Sequence, residues 1–223
     1  MLLDDSSLTR SSVVANSTMN RERGLSGANS YAKDLGFAPL AWLREQKPDG
    51  RPKRWLDLCC GSGRALIEAA EQCAEESIEI VGVDLVRLFA DGAESFPHLR
   101  LIESPLAECE IAGPFDLITC VHGLHYLGDK LGFIAKYSAL LSENGKLIGH
   151  LDLDNIQGIE RPRLLAQFRK NGWHYDGRRH LLETSAQSRP LARCYLGADD
   201  QGGRNFTGQP CVDSHYATAI TTA

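Results

Sequence analysis

Two carboxylates bracket a glycine turn in this chain. Asp57 sits inside the apolar run Trp55-Leu56-Asp57-Leu58-Cys59-Cys60, immediately ahead of Gly61-Ser62-Gly63, and Asp84 ends the β-branched run Ile78–Asp84. Without side chains at Gly61 and Gly63, a ligand can lie directly against the backbone. A helical pattern starts at Arg64, so unpaired N–H groups and a partial positive charge face the same turn. A dinucleotide fingerprint would need a third glycine where Leu66 stands. Asp57, inside the strand, suits a cation or an amine better than a pyrophosphate. Asp84 lies ~20 residues beyond Gly63, where a carboxylate can accept both hydroxyls of a ribose.

These residues need a scaffold, and the periodicity supplies one. Apolar runs of strand length are expected at Trp55–Cys60, Ile78–Asp84, Leu99–Ser104, Phe115–Val121 and Lys146–Leu153. Helical patterns intervene: Arg64–Glu76, with Ala65, Leu66, Ala69, Ala70 and Cys73 on one face; Val86–Phe96; a segment carrying Leu131, Ile134, Ala135 and Leu141 and ended by Glu143-Asn144-Gly145; and Glu160–Gly172. Two more strands are read in 173–185 and 191–198. Strands alternating with helices imply an α/β fold. The expectation is a Rossmann-like, seven-stranded, mostly parallel sheet with helices on both faces and an N-terminal helical extension. Ligands then bind at the carboxyl ends of the strands, just after Cys60, Asp84, Ser104 and Cys120.

An ammonium near Asp57, a ribose at Asp84 and close backbone at Gly61 together describe S-adenosyl-methionine (SAM). The stretches LDLCCGSG, IVGVDL, RLIESPL and FDLITCVHGLHYL, followed by LLSENGKLI, resemble the ordered motifs of class I SAM-dependent methyltransferases over roughly 54–152. The resemblance implies cofactor contacts from Asp57, Cys59, Gly61, Gly63, Asp84, Leu85, Ser104, Pro105, Leu106 and Cys120. Two positions depart from the family. Cys59 stands where glycine is common, and Glu103-Ser104 stands where the third motif often ends in an aspartate that holds the adenine amine.

Methyl transfer from a sulfonium is an in-line displacement, and a base is needed only for a protonated nucleophile. His122 and His125 leave the fourth strand, where the acceptor must sit. His122 reads as a base or an orienting group, whereas His125 reads as opening the next helix. The HxxH spacing lacks a third ligand, so no metal is expected. A polar helix over Met19–Leu35, capped by Gly36, carries Asn20, Arg21, Arg23, Asn29 and Tyr31. It reads either as a surface helix or as a lid in which Tyr31 reaches the cofactor carboxylate or the acceptor. Pro39 opens a further short helix. The segment from Tyr195 to Pro210, with Asp199, Asp200, Asn205 and Thr207, reads either as a disordered end or as a loop folded across the substrate mouth.

The 223 residues divide into a helical extension or lid (1–50), a SAM-binding body (51–200) and a tail (201–223). The first ~18 residues read as mobile. A net charge of −5 and a pI near 5.8, with no basic stripe, disfavour nucleic acid. The start lacks a signal pattern and no apolar run is long enough for a membrane span, so a cytoplasmic protein with no membrane partner is expected. Seven cysteines without CxxC spacing read as reduced thiols. The expected partner is a small-molecule acceptor of oxygen or nitrogen type, and a homodimer is compatible with the chain. A Pro-Pro-aromatic signature of planar-amine N-methylation is replaced here by Cys-Val-His-Gly. The other readings are an RNA or protein methyltransferase, an enzyme that cyclises or transfers another part of SAM, and a non-catalytic SAM-binding module.

Overall fold

A computed structural model describes residues 2–14, 22–191 and 193–217. The strands are β1 (Lys53–Leu58), β2 (Ile78–Asp84), β3 (Leu99–Glu103), β4 (Phe115–Cys120), β5 (Leu141–His150), β6 (Ile156–Gln157), β7 (His174–Asp176), β8 (Leu181–Ser185), β9 (Cys194–Asp199) and β10 (Asp213–Ala217). The helices are α1 (Asp5–Leu8), α2 (Tyr31–Leu35), α3 (Pro39–Glu45), α4 (Arg64–Gln72), α5 (Lys130–Ser138) and α6 (Arg161–Lys170). The main sheet has seven strands in the order β3-β2-β1-β4-β5-β8-β7. Its first five strands are parallel, and β8 runs antiparallel to both β5 and β7. The chain leaves β1 towards β2 on one side and returns to β4 on the other, so the switch point lies between β1 and β4.

Both faces are covered, as the fully buried strands require. Leu35, Leu40, Leu43, Ala65, Leu66 and Ala69 pack on one face around Trp55 and Ile80. Leu131, Ile134, Tyr137, Leu164 and Phe168 pack on the other around Leu56, Ile118 and Leu147. Local signals place the helix ends. The Ser30 side chain accepts from the Lys33 N–H, Gly36 closes α2 at φ 77°, and Asp129 accepts from the Gly132 N–H. No helix of the described residues is long and apolar enough to cross a membrane.

Several expectations are corrected. In the polar stretch read as a helix over Met19–Leu35, residues 19–21 (with Asn20 and Arg21) lie outside the described residues. Residues 22–30 form a loop closed by a bridge between Gly24 and Ser30, and only Tyr31–Leu35 is helical. Gly27 at φ 102° breaks the pattern, and the Glu68 carboxylate takes the Leu25 N–H at 2.7 Å. The Val86–Phe96 segment contains only a short 3-10 turn at Ala93–Ser95, entered through Gly92 at φ 99°. Strand β1 ends at Leu58 because Cys59 turns to φ 58°. Glu143-Asn144-Gly145 lies inside β5 rather than ending a helix, and Leu141 belongs to that strand.

The sheet's last two strands both come from 173–185, joined by a turn in which Asp176 accepts the Arg178 and Arg179 N–H groups. The strand read at 191–198 belongs instead to a second sheet, β6-β10-β9. Of the first ~18 residues, read as mobile, 2–14 are packed, and 1 and 15–18 lie outside the described residues. Leu3 exchanges backbone hydrogen bonds with Ala198, and Leu8 and Val14 are buried against Ala198 and Val212.

Candidate functional site

The glycine turn takes the form its residue types require. Gly61 and Gly63 have φ of 62° and 72°, and a Cβ on Gly63 would come within 2.7 Å of Leu101. Asp84 closes the turn from β2, accepting the Gly61 N–H at 2.8 Å on one oxygen and the Val86 N–H at 3.1 Å on the other. Asp84 borders a cleft whose walls include Cys59, Leu85, Pro105, Leu106 and Phe133. Apolar walls beside a carboxylate fit an adenosyl group.

Asp57 lies deeper. It is fully buried on β1, and its partner across the parallel ladder is Thr119 of β4. Tyr31 donates its hydroxyl to one carboxylate oxygen at 2.7 Å, and Thr119 donates to the other. The Trp55 indole N–H donates in turn to the Thr119 oxygen at 2.8 Å. Burial pushes Asp57 up to about 7, against the pull of those two donors. A cation arriving nearby would restore full ionisation, as the ammonium of an amino acid does. Tyr31, expected to reach the cofactor carboxylate or the acceptor if its segment is a lid, has its hydroxyl on Asp57 and its ring buried against Trp55.

The remaining expected cofactor residues separate. Leu85, Pro105 and Leu106 line the cleft, while the Ser104 hydroxyl turns to the Pro105 carbonyl at 3.2 Å. Cys120 is buried with its thiol free, and the Cys59 pKa is raised by a hydrogen bond with Cys120 and by burial.

Beyond β4 the chain enters a cluster of rings. His122 has φ 62° and precedes a 3-10 turn over Gly123–Tyr126. Among the described residues, the non-glycine positions with φ in this left-handed region are Cys59, His122 and His180, all beside the cleft or this cluster. His122 stacks on His150, at the end of β5, with centroids 4.0 Å apart. His180 stacks on Phe206 at 4.2 Å, and Phe206 also lies against His122, His125 and His150. The loop between β9 and β10 is thus folded back over the strand ends, held where the Phe206 N–H donates to Asp152 at 2.7 Å.

His122 Nε2 lies 3.5 Å from Asp34 Oδ2, and that oxygen also accepts from Arg23 Nε at 2.9 Å. Burial raises the Asp34 pKa, but the bonds and charges of His122 and Arg23 outweigh it and hold the carboxyl below its ordinary value. Burial drives His150 down to about 3 and His125 well below its usual range, so both rings are neutral near pH 7. Buried His122 Nδ1, His150 Nδ1 and both nitrogens of His125 have no hydrogen-bond partner among the described residues. The described residues contain no group of three or more His, Cys, Asp or Glu placed to hold a metal.

Sequence reasoning missed Asp34, His150, His180 and Phe206, which come from four separate segments. Thr119 was recoverable in principle, because a polar residue in an apolar strand suggests a buried partner.

A stretch of 110 residues is 32% identical to the ubiquinone biosynthesis O-methyltransferase of Vibrio parahaemolyticus serotype O3:K6, covering 45% of this chain and 44% of that protein. The chain thus spans less than half the length of that curated relative. Among solved structures, the StiE O-methyltransferase residues 961–1257 share 17% identity at a TM-score of 0.49, over 65% of this chain and 51% of that one. YjhP of E. coli shares 18% at 0.47, over 73% and 71%. The methyltransferase-domain family model matches residues 31–193. That match begins at the tyrosine bonded to Asp57 and runs through every strand of the main sheet, and the chain belongs to the class I SAM-dependent methyltransferases.

Proposed function

We propose that this methyltransferase alkylates an oxygen or nitrogen nucleophile of a small metabolite, with His122 taking the proton. The observation that supports the reading is the Asp34–His122 pair beside an unpartnered, buried Nδ1. A carboxylate on Nε2 favours the tautomer with its proton there, which leaves Nδ1 as the acceptor. SAM supplies the electrophilic methyl when bound. The protein's share is to orient the nucleophile, remove its proton at His122 Nδ1 and hold the resulting imidazolium against Asp34. The neutral rings of His125 and His150, together with Phe206, form an aromatic wall in which a polar acceptor would find uncharged hydrogen-bonding groups. We read residues 51–200 as the cofactor-binding body, with the pieces on either side supplying its cover.

The test uses SAM with an isotopically labelled methyl group, a metabolite pool and mass detection of the methylated product. Once an acceptor is found, His122→Gln should lower kcat by about 10²–10⁴-fold for a hydroxyl acceptor while leaving the affinity for S-adenosyl-homocysteine (SAH) unchanged. A His122→Gln enzyme with wild-type kcat would refute the base assignment.

A further inference from the structure

The sequence raises a question that the strand ends leave open: what holds the adenine amine where the third motif lacks its aspartate? Glu103 is exposed at the end of β3, and Ser104 is bonded to the carbonyl that follows it. Among the described residues that line the cleft, two carry carboxylates. One is Asp84, already bonded to the glycine turn, and the other is Asp5, from the far N-terminus.

Asp5 is not there by chance of a loose end. Leu3 forms a two-way backbone bridge with Ala198 of β9, with N–O distances of 2.7 and 2.9 Å. Leu8 is 3% exposed and packs with Val14, Ala198 and Val212 against Leu85 and Tyr126. Asp4 caps the short helix by accepting the Ser7 N–H at 2.7 Å. The Tyr195 hydroxyl donates to Asp5 Oδ1 at 3.2 Å, and a Cβ on Gly128 would fall 2.2 Å from the same oxygen. The Tyr195 bond and the close approach of Gly128 thus hold the carboxylate in the cleft wall.

We infer that Asp5 is the acceptor for the 6-amino group of the cofactor's adenine, so that the N-terminal segment reads the base in place of the end of β3. This rests on the cofactor assignment and adds a specificity-determining residue to it. The physical case is complementarity. An exocyclic amine donates and a carboxylate only accepts, and the charge-assisted bond is strong where the site is apolar. A 6-oxo base offers an acceptor at the same place, which sets two acceptors against each other. The site should therefore reject it.

Calorimetry separates the outcomes. The wild-type protein should bind SAH at least about tenfold more tightly than S-inosyl-homocysteine, its 6-oxo counterpart. Asp5→Ala should weaken SAH about tenfold and bring the ratio of the two affinities close to one. Asp4→Ala, on the same turn, should leave the ratio as in wild type. If Asp5→Ala does not fold, by circular dichroism, Asp5→Asn takes its place with the same expected loss of discrimination, because its amide can donate to a 6-oxo group. Equal wild-type affinities for the two ligands would overturn the inference. So would an Asp5 variant that weakens both ligands alike with the ratio kept, since that is the signature of a cover with no role in reading the base. Failure of the protein to bind SAH at all would instead overturn the cofactor assignment beneath it.

Discussion

The Tyr31 hydroxyl donates to Asp57 at 2.7 Å across 26 positions of sequence, and this bond ties the N-terminal segment to the first strand of the sheet. With Thr119 on the other oxygen, it supplies the hydrogen bonds that an ionised carboxylate needs in a fully buried site. Tyr31→Phe removes one of these donors. The donors favour the charged form of Asp57, so the loss should be largest where that form prevails. We expect a destabilisation of about 1–3 kcal/mol at pH 8 and clearly less at pH 5, read from urea unfolding at the two pH values. An equal loss at both would show that the hydroxyl bonds a neutral carboxyl.

The raised pKa of Asp57 also predicts how cofactor binding responds to pH. An ammonium beside the carboxylate stabilises its ionised form, so binding must drive the proton off when the free protein holds it. SAH affinity should rise with pH and level off above about 7, with proton release detectable by calorimetry in buffers of different ionisation enthalpy. Asp57→Asn should weaken binding and flatten the slope.

Asp57 and His150 should push stability in opposite directions along the pH axis. The folded pKa of Asp57 lies above its unfolded value of 3.8, so its contribution is present in full below about pH 4 and is lost as pH rises through about 7. The folded pKa of His150 is depressed from 6.5 to about 3, so its contribution is present above pH 6.5 and is lost as pH falls towards 3. In urea titrations between pH 4.5 and 8, His150→Asn should reduce the acid loss of stability, whereas Asp57→Asn should reduce the loss on the neutral side. A His150→Asn protein that loses stability in acid as the wild type does would contradict the neutral buried ring.

Asp34 is expected to act through His122. Asp34→Asn keeps the shape but removes the charge that steadies an imidazolium, so kcat should fall by about 10–100-fold with acceptor KM and SAH affinity near wild type. A rise in KM with kcat unchanged would move Asp34 from positioning the base to binding the acceptor.

Phe206 offers a cleaner probe of the folded-back loop. It is 38% exposed, so Phe206→Ala should cost less than about 1 kcal/mol of stability. Its ring nevertheless contacts His122, His125, His150 and His180. The acceptor KM should rise several-fold with SAH affinity unchanged. Unchanged steady-state kinetics would place the acceptor elsewhere.

The sequence by itself determined the sheet's first five strands, the glycine turn, and the places of Asp57 within β1 and Asp84 at the end of β2. All of these rest on short-range facts: period-two and period-3.6 apolar patterns, glycines where φ is positive, and carboxylates at strand ends. It also placed His122 beyond β4. Only the tertiary structure decided that α1 packs on β9, that the polar N-terminal stretch is mostly loop, that β9 leaves the main sheet for a second one, and that Asp34, His150, His180 and Phe206 gather around His122. Each of these depends on partners far apart in the chain, such as Leu3 with Ala198 or Phe206 with Asp152. Local propensity carries no record of such pairs, because the free energy that fixes them comes from surfaces buried only after the sheet has formed.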